Sequence, residues 1–177
     1  GTAPNHSLAF SNITSFEGGD DQGLQQLSVF SDYENGDHAN GNWIESNVFQ
    51  EWTIDQSAVG ETWVFAFDAK LGNIDLRSTA MAFIKTIDPN NNYAMTNLVP
   101  EDMTTTPVEW QGYVLELPII QELVGQFIQV GFSNLATEYE SSGIIYDNVH
   151  FYKRAPVAGV PTAMAGADLS QNYPNPF

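Results

Sequence analysis

Apolar and polar residues alternate along most of the chain, a period of two that is typical of strands with one buried face. Aromatic and β-branched residues are frequent in the alternating stretches, and clusters of Gly, Asn, Asp and Pro separate them. Only residues 119–124 have a helical pattern, one or two turns long. The alternation predicts nine strands, at residues 8–13, 26–30, 47–54, 61–71, 78–87, 92–98, 107–117, 126–134 and 143–152.

Strands in this number and at this spacing predict an all-β domain, a β-sandwich or jelly roll of about eight or nine antiparallel strands. The composition changes after Arg154, where small residues and prolines replace charged and aromatic ones, as in a flexible linker. We therefore expect a β-sandwich over residues 1–153, a linker over 154–168 and a separate C-terminal segment over 169–177.

The composition suits a folded domain and excludes some partners. Apolar residues make up 42% of the 177 residues, and 11 Phe, 7 Tyr and 4 Trp supply large side chains to bury. Acidic residues outnumber basic ones by 22 to 5, a net charge of −17, so we expect no binding to nucleic acid. No apolar run approaches the ~18 residues of a membrane-spanning helix, so we expect no membrane insertion.

The sequence carries no recognisable catalytic constellation. It has no Cys, no nucleophile-elbow motif, no zinc-protease motif and no phosphate-binding glycine loop. The histidines, His6, His38 and His150, show no regular ligand spacing. Glu138 and Glu140 fall in a predicted loop and not on a strand, where a glycanase would place its carboxylate pair. We therefore predict that the domain is not an enzyme.

The last predicted strand places a carboxylate among apolar residues. Strand alternation assigns Asp147 to the same face as Ile145, Val149 and Phe151, so we expect Asp147 to face the core or its margin. An unpaired carboxylate there would cost several kcal/mol, and basic residues are too few for a salt bridge to be the default. A second carboxylate with a hard cation is the expected compensation, and Glu17, in the turn after the first strand, is the candidate partner.

Two short motifs carry a family resemblance. A first strand followed by Phe16-Glu17-Gly18-Gly19 and a last strand with Tyr146-Asp147-Asn148-Val149 resemble carbohydrate-binding modules of the calcium-containing β-jelly-roll superfamily. The stretches 62–70 and 109–115 are similar to the middle strands of that family.

The resemblance implies a structural Ca²⁺ held by Glu17 and Asp147 together with backbone carbonyl groups. The family takes a further ligand from the loop after the second strand, where this sequence offers Asp32, Glu34 and Asp37 without singling one out. The alternative is that these carboxylates are solvated or form Asx turns.

The resemblance also implies a function, that of a non-catalytic module which targets a larger secreted protein, and the catalytic domain of that protein, to a polysaccharide or oligosaccharide. Such modules stack aromatic rings on sugar rings. Aromatic residues with polar neighbours are the candidates for this contact, and they are Trp43, Trp52, Tyr93 and Tyr139. Aromatic residues in alternating apolar stretches are assigned to the core, and they include Phe65, Phe67, Phe83, Phe127 and Phe132. The alternative function is that of a structural or adhesive spacer without a glycan site.

The C-terminal residues carry a second resemblance. Gln171-Asn172-Tyr173-Pro174-Asn175-Pro176-Phe177 resembles the start of the C-terminal sorting domain of type IX (Por) secretion substrates. This resemblance implies that the protein is secreted or displayed on the cell surface.

Overall fold

The computed structural model describes residues 9–31, 43–136 and 141–154. These residues form nine strands, and each of the nine predicted strands corresponds to one of them. The helical pattern at 119–124 corresponds to a single 3-10 turn at Gln121–Leu123, and a second such turn occurs at Gln56–Ala58. The strands are β1 (Ala9–Ser15), β2 (Gln25–Ser31), β3 (Ile44–Thr53), β4 (Thr62–Ile74), β5 (Thr79–Asp88), β6 (Ala94–Asp102), β7 (Gln111–Pro118), β8 (Phe127–Ala136) and β9 (Ser142–Arg154).

The strands form two antiparallel sheets, which confirms the predicted all-β sandwich. Sheet A has the strand order β1-β2-β9-β4-β7, and sheet B has the order β3-β8-β5-β6. The first and last strands are not neighbours, because β2 lies between them. No helix in the described part of the chain has the length and apolar character needed to cross a bilayer. Of the predicted linker only Arg154 is described, as the last residue of β9, and the C-terminal segment lies outside the described residues, so the domain boundaries stay predictions.

The core between the sheets is built around an aromatic cluster. The side chains of Phe65 and Phe67 in β4 point inward with Trp63 and Ala69, as the period of two requires. Phe132 in β8 lies with its ring centroid 5.3 Å from that of Phe65 and 5.0 Å from that of Phe67. These offset and edge-on contacts between sheets join the two layers. Burial of each ring contributes about 1.5–3 kcal/mol to the stability of the folded domain.

Tyr146 in β9 belongs to the same cluster, with its ring stacked on Phe132 at a centroid distance of 3.6 Å. Its hydroxyl group is buried and has no hydrogen-bond partner among the described residues. Burial, with a smaller contribution from Tyr113, raises the pKa of Tyr146 well above its usual value near 10. The Tyr146 hydroxyl group therefore stays protonated in the folded domain at pH values near 10, where a tyrosine of the unfolded chain ionises.

We expect the Tyr146→Phe variant to be as stable as the wild type, or more stable by up to about 1 kcal/mol, because the lost hydroxyl makes no hydrogen bond. Above a pH of about 10 the wild type should lose stability, since the unfolded chain can release the tyrosine proton and the folded chain cannot. The variant has no tyrosine proton to lose at this position, so its stability relative to the wild type should increase at alkaline pH. Urea unfolding at neutral and alkaline pH measures both effects, and a less stable variant at neutral pH would contradict them.

The last strand contains an irregularity that places Asp147 and Phe151 on opposite faces. Ile144 and Tyr146 are the fully buried residues, so Asp147 points away from the core. The register between β4 and β9 then shifts, and Asn148 adopts a left-handed φ of 49°, as in a β-bulge. The bulge brings Phe151 back to the core. Asp147 and Ile145 share a face as predicted, but the prediction that this face is the inner one, and that Phe151 belongs to it, is wrong because the bulge interrupts the alternation before Phe151.

Candidate functional site

The outer face of sheet B collects polar and aromatic side chains from neighbouring strands. The alternate residues Ala82, Ile84 and Val130 point into the core, so the residues between them point outward. The outward residues include Glu45, Asn47, Phe49 and Glu51 of β3, Phe127, Gln129 and Ser133 of β8, and Phe83 and Lys85 of β5. This set combines aromatic rings with carboxylate, amide, hydroxyl and ammonium groups.

One transverse row of this face is aromatic. Phe49, Gly131, Phe83 and Pro100 lie opposite one another across the four strands β3, β8, β5 and β6. Phe83 is only 1% exposed, which confirms that it is buried, but it lies outside the cluster between the sheets because it points to the other side of sheet B. Phe49 is 45% exposed. This row therefore offers one accessible ring, that of Phe49, beside a second ring that is covered by its neighbours.

Gly131 is needed at the centre of this row. A Cβ atom at this position would lie 2.1 Å from the carbonyl oxygen of Val48 and 2.7 Å from the Cα of Phe49. These distances are shorter than any real contact, so strand β3 can approach β8 this closely only beside a residue without a side chain. The glycine therefore fixes the position of Phe49.

Charged and polar groups surround the aromatic row. The ammonium group of Lys85 lies 4.9 Å from the ring centroid of Phe83 and 5.7 Å from that of Phe49, within cation–π range. Gln129 donates a 2.6 Å hydrogen bond to Glu51, and Ser133 donates a 2.7 Å bond to Glu45. Both carboxylates are thereby oriented on this face, and Glu51 is the one next to the exposed ring of Phe49. Such an arrangement can stack on an apolar ring face and bind hydroxyl groups around it.

The loop after β1 covers part of the outer face of sheet A. Lys70 of β4 makes a 2.8 Å ion pair with Glu17, and the indole N–H of Trp110 donates to the backbone carbonyl of Glu17. Farther along the loop, Gln22 donates a 2.9 Å hydrogen bond to the carboxylate of Asp68. The same carboxylate accepts a 2.7 Å bond from Asn148 at the bulge of β9. The loop is thus tied to β4, β9 and the segment before β7.

The two predicted calcium ligands, Glu17 and Asp147, are brought to the same region through Gln26. The Gln26 side chain accepts a bond from the backbone N–H of Glu17, and its amide donates to Asp147 at 3.1 Å and to the Gly23 carbonyl at 2.6 Å. The backbone N–H of Asn148 donates to the other oxygen of Asp147. Gln26 was not among the predicted site residues, because it falls at a polar position of β2 together with Ser28, as any outward residue would.

The described residues contain no group of three or more His, Cys, Asp or Glu side chains that could hold a metal ion. The further candidate ligands Asp32, Glu34 and Asp37 lie outside the described ranges. Calcium binding at Glu17 and Asp147 therefore stays a prediction.

An acidic cleft of about 500 Å³ borders the loop after β1. Its lining includes Asp20, Asp21, Asp68 and Glu109, with Trp110 as its aromatic residue. The indole of Trp110 already serves the fold, since its N–H is bonded to the loop and the Lys70 ammonium lies 5.5 Å from its ring centroid. This cleft is therefore a weaker candidate for stacking on a ligand than the outer face of sheet B.

The aromatic residues predicted to bind a ligand do not form one surface. Trp43 is 69% exposed and precedes β3, while Tyr93 is 68% exposed in the β5–β6 turn, at the other end of sheet B. Trp52 stacks on Phe151 at a centroid distance of 4.8 Å and lines an apolar cavity of about 180 Å³ between the sheets. Tyr139 lies outside the described residues. The structure adds Phe49 as a candidate for ligand contact, and this residue was not among those predicted.

No protein-family model matches the sequence, and no curated protein matches it. Solved structures are similar in fold. One is a carbohydrate-binding module of the β-sandwich superfamily, with a TM-score of 0.51 and 15% identity over 85% of this chain and 55% of that one. An exo-β-agarase has a TM-score of 0.52 and 15% identity over 90% of this chain and 24% of that one. The enzymatically active domain of tailspike protein 4 from bacteriophage CBA120 has a TM-score of 0.55 and 13% identity over 83% of this chain and 18% of that one.

At these identities the likeness shows the fold alone, and that fold is the β-sandwich found in a carbohydrate-binding module. The chain spans about half the length of that structure and a quarter or less of the two others. One other structure is an agarase and one is an enzymatically active domain. The fold therefore occurs both in a binding module and within enzymes.

Proposed function

We propose that this domain is a non-catalytic carbohydrate-binding module and that it binds sugar on the outer face of sheet B. The observation that carries the proposal is the half-exposed ring of Phe49 beside the Lys85 ammonium and the fixed carboxylate of Glu51. A sugar ring presents an apolar face that stacks on an aromatic ring and hydroxyl groups that need charged or amide partners. The fold shared with a carbohydrate-binding module supports the same function.

In this proposal the domain acts by tethering. It would hold a larger protein, with a catalytic domain elsewhere in the parent chain, near a polysaccharide and so raise the local concentration of substrate. The resemblance of residues 171–177 to a type IX sorting domain supports export of that protein to the cell surface or the medium. The net charge of −17 favours a neutral polysaccharide over a polyanionic one, because like charges repel.

Affinity electrophoresis tests the proposal. The domain is run through gels that contain a panel of neutral and acidic polysaccharides, and we expect retardation by at least one neutral polymer. Phe49→Ala should weaken that binding about 10-fold or more, because truncation of a central aromatic contact typically costs over about 1.4 kcal/mol. Trp43→Ala is the matched control, since Trp43 is more exposed than Phe49 but lies outside the aromatic row.

Two outcomes would contradict the proposal. Absence of retardation on every polysaccharide, with a glycan array also blank, would favour the alternative function of a structural or adhesive spacer. Equal binding by the wild type and the Phe49→Ala variant would place the sugar site elsewhere, and the acidic cleft beside Trp110 would then be the next candidate.

A further inference from the structure

The carboxylate of Glu17 is already neutralised by a group of the protein. Its oxygen lies 2.8 Å from the ammonium of Lys70, whose side chain is 18% exposed. The Lys70 ammonium also lies near the Trp110 ring, so contacts on two sides hold the lysine in place. A divalent cation bound to Glu17 would have to displace this ammonium or tolerate its repulsion at close range.

The carboxylate of Asp147 is satisfied by N–H donors. One oxygen accepts from the backbone N–H of Asn148 at 2.7 Å, and the other accepts from the Gln26 amide at 3.1 Å. The Gln26 amide also donates to the Gly23 carbonyl at 2.6 Å. Two oxygens of the kind that bind calcium therefore converge on an amide nitrogen.

The orientation of the Gln26 amide is fixed by its three partners. Its oxygen faces the N–H of Glu17, so its nitrogen must face the two acceptor oxygens. A flipped amide would set donor against donor on one side and acceptor against acceptor on the other. Gln26 is 1% exposed, so it cannot swing into solvent to make room for an ion without opening the loop.

We propose that Lys70 and Gln26 replace the structural calcium that the family resemblance implies at Glu17 and Asp147. In this domain an ammonium and an amide group supply the positive charge and the donors that close the loop after β1 onto sheet A. Calcium prefers about six to eight oxygen ligands, whereas here one carboxylate oxygen of Glu17 and both of Asp147 are engaged by N–H groups. The residues present thus fit an ion poorly, and the fold holds its loop without one.

The first test compares the thermal stability of the domain with and without calcium. Protein dialysed against CaCl₂ is divided and transferred into EDTA, CaCl₂ or MgCl₂, and Tm is measured by differential scanning calorimetry. Because a ligand stabilises a fold only if it binds the folded state, we expect the three Tm values to agree within about 1 °C. A Tm that falls in EDTA and returns with calcium but not with magnesium would overturn the proposal.

The second test removes the protein's own donors. Gln26→Glu places a second carboxylate beside that of Asp147, and in EDTA we expect its Tm to fall by roughly 3–10 °C because buried acceptors lose their donor. Calcium should then raise the Tm of this variant, since the new carboxylate lies beside that of Asp147 and the Gly23 carbonyl oxygen. Terbium luminescence provides an independent readout, with a signal expected for the variant and none for the wild type.

Lys70→Met should also lower Tm in EDTA, by several degrees. Lys153→Met is the matched control, because the Lys153–Glu61 pair is longer, at 3.7 Å, and the Lys153 side chain is 44% exposed. The proposal fails if Gln26→Glu is as stable as the wild type in EDTA, or if the two lysine variants lose the same amount. Polysaccharide binding is not needed for any of these readouts, so their result is independent of the proposed function.

Discussion

Replacement of Gly131 by alanine should destabilise the domain by about 3 kcal/mol or more, at the upper end for overpacked sites. The added Cβ would overlap the Val48 carbonyl oxygen and the Cα of Phe49, which belong to the backbone of the neighbouring strand. A side chain could rotate away from such a contact, but a hydrogen-bonded strand must move as a unit. We therefore expect β3 to separate partly from β8, and Phe49 to lose its position.

Urea unfolding of Gly131→Ala measures the loss, and Gly23→Ala is the matched control. Gly23 lies in the loop after β1, and a Cβ atom added there would meet nothing within 4 Å, so this substitution should change stability by less than about 0.5 kcal/mol. Sugar binding by Gly131→Ala should weaken even under conditions where the variant is fully folded. Equal stability of the two variants would mean that β3 and β8 are not as close as described.

Truncation of Phe132 to alanine should cost about 3–5 kcal/mol, since it removes the ring that links the two sheets. Phe132 contacts the rings of Phe65, Phe67 and Tyr146 and also lines the apolar cavity beneath Trp52. Its removal would enlarge that cavity, which the surrounding strands cannot close without breaking their pairing. For a domain of this size, Tm should fall by about 10 °C or more.

Phe16→Ala is the control for this variant, because Phe16 is 95% exposed and the chemical change is the same. It should leave stability within about 0.5 kcal/mol of the wild type. Phe132→Leu retains most of the apolar volume and should lose no more than half as much as the alanine variant. Calorimetry of the three variants tests this order, and a Phe132→Ala Tm equal to that of Phe16→Ala would contradict it.

Most of the fold could be predicted because the strands obey simple alternation. β4, with Trp63, Phe65 and Phe67 on one face, is long and periodic as far as Leu71, and its prediction is accurate to within three residues at either end. The helical pattern at 119–124 was too short to decide between an α-helix and the observed 3-10 turn. Strand order could not be predicted from the pattern, because pairing depends on contacts between distant segments.

The candidate site was harder to predict because it depends on register. Phe83 belongs to an apolar run in which both neighbours, Ala82 and Ile84, are also buried, so its own face cannot be read from the sequence. Asp147 lies one residue before a bulge that interrupts the alternation of β9. Phe49 seemed an ordinary strand residue, and only its position opposite Gly131 shows that it lies at the centre of an outer face.

The proximity of Glu17 and Asp147, by contrast, could be predicted from the sequence. A loose motif brought both residues to attention, and the structure places them around one side chain. What the motif did not reveal is the identity of that side chain. Gln26 and Lys70 lie in strands, and their contribution follows from packing between β2, β4 and β9.

The edge strands of sheet B, β3 and β6, affect how closely copies of this domain can be packed together. Free strand edges invite pairing with another molecule and so lead to aggregation. Pro100 in β6 has no N–H to offer to an incoming strand, and β3 presents the carboxylates of Glu45 and Glu51. With a net charge of −17 on each copy, neighbouring molecules also repel. A densely coated surface could therefore carry many copies side by side without their strands joining into fibrils.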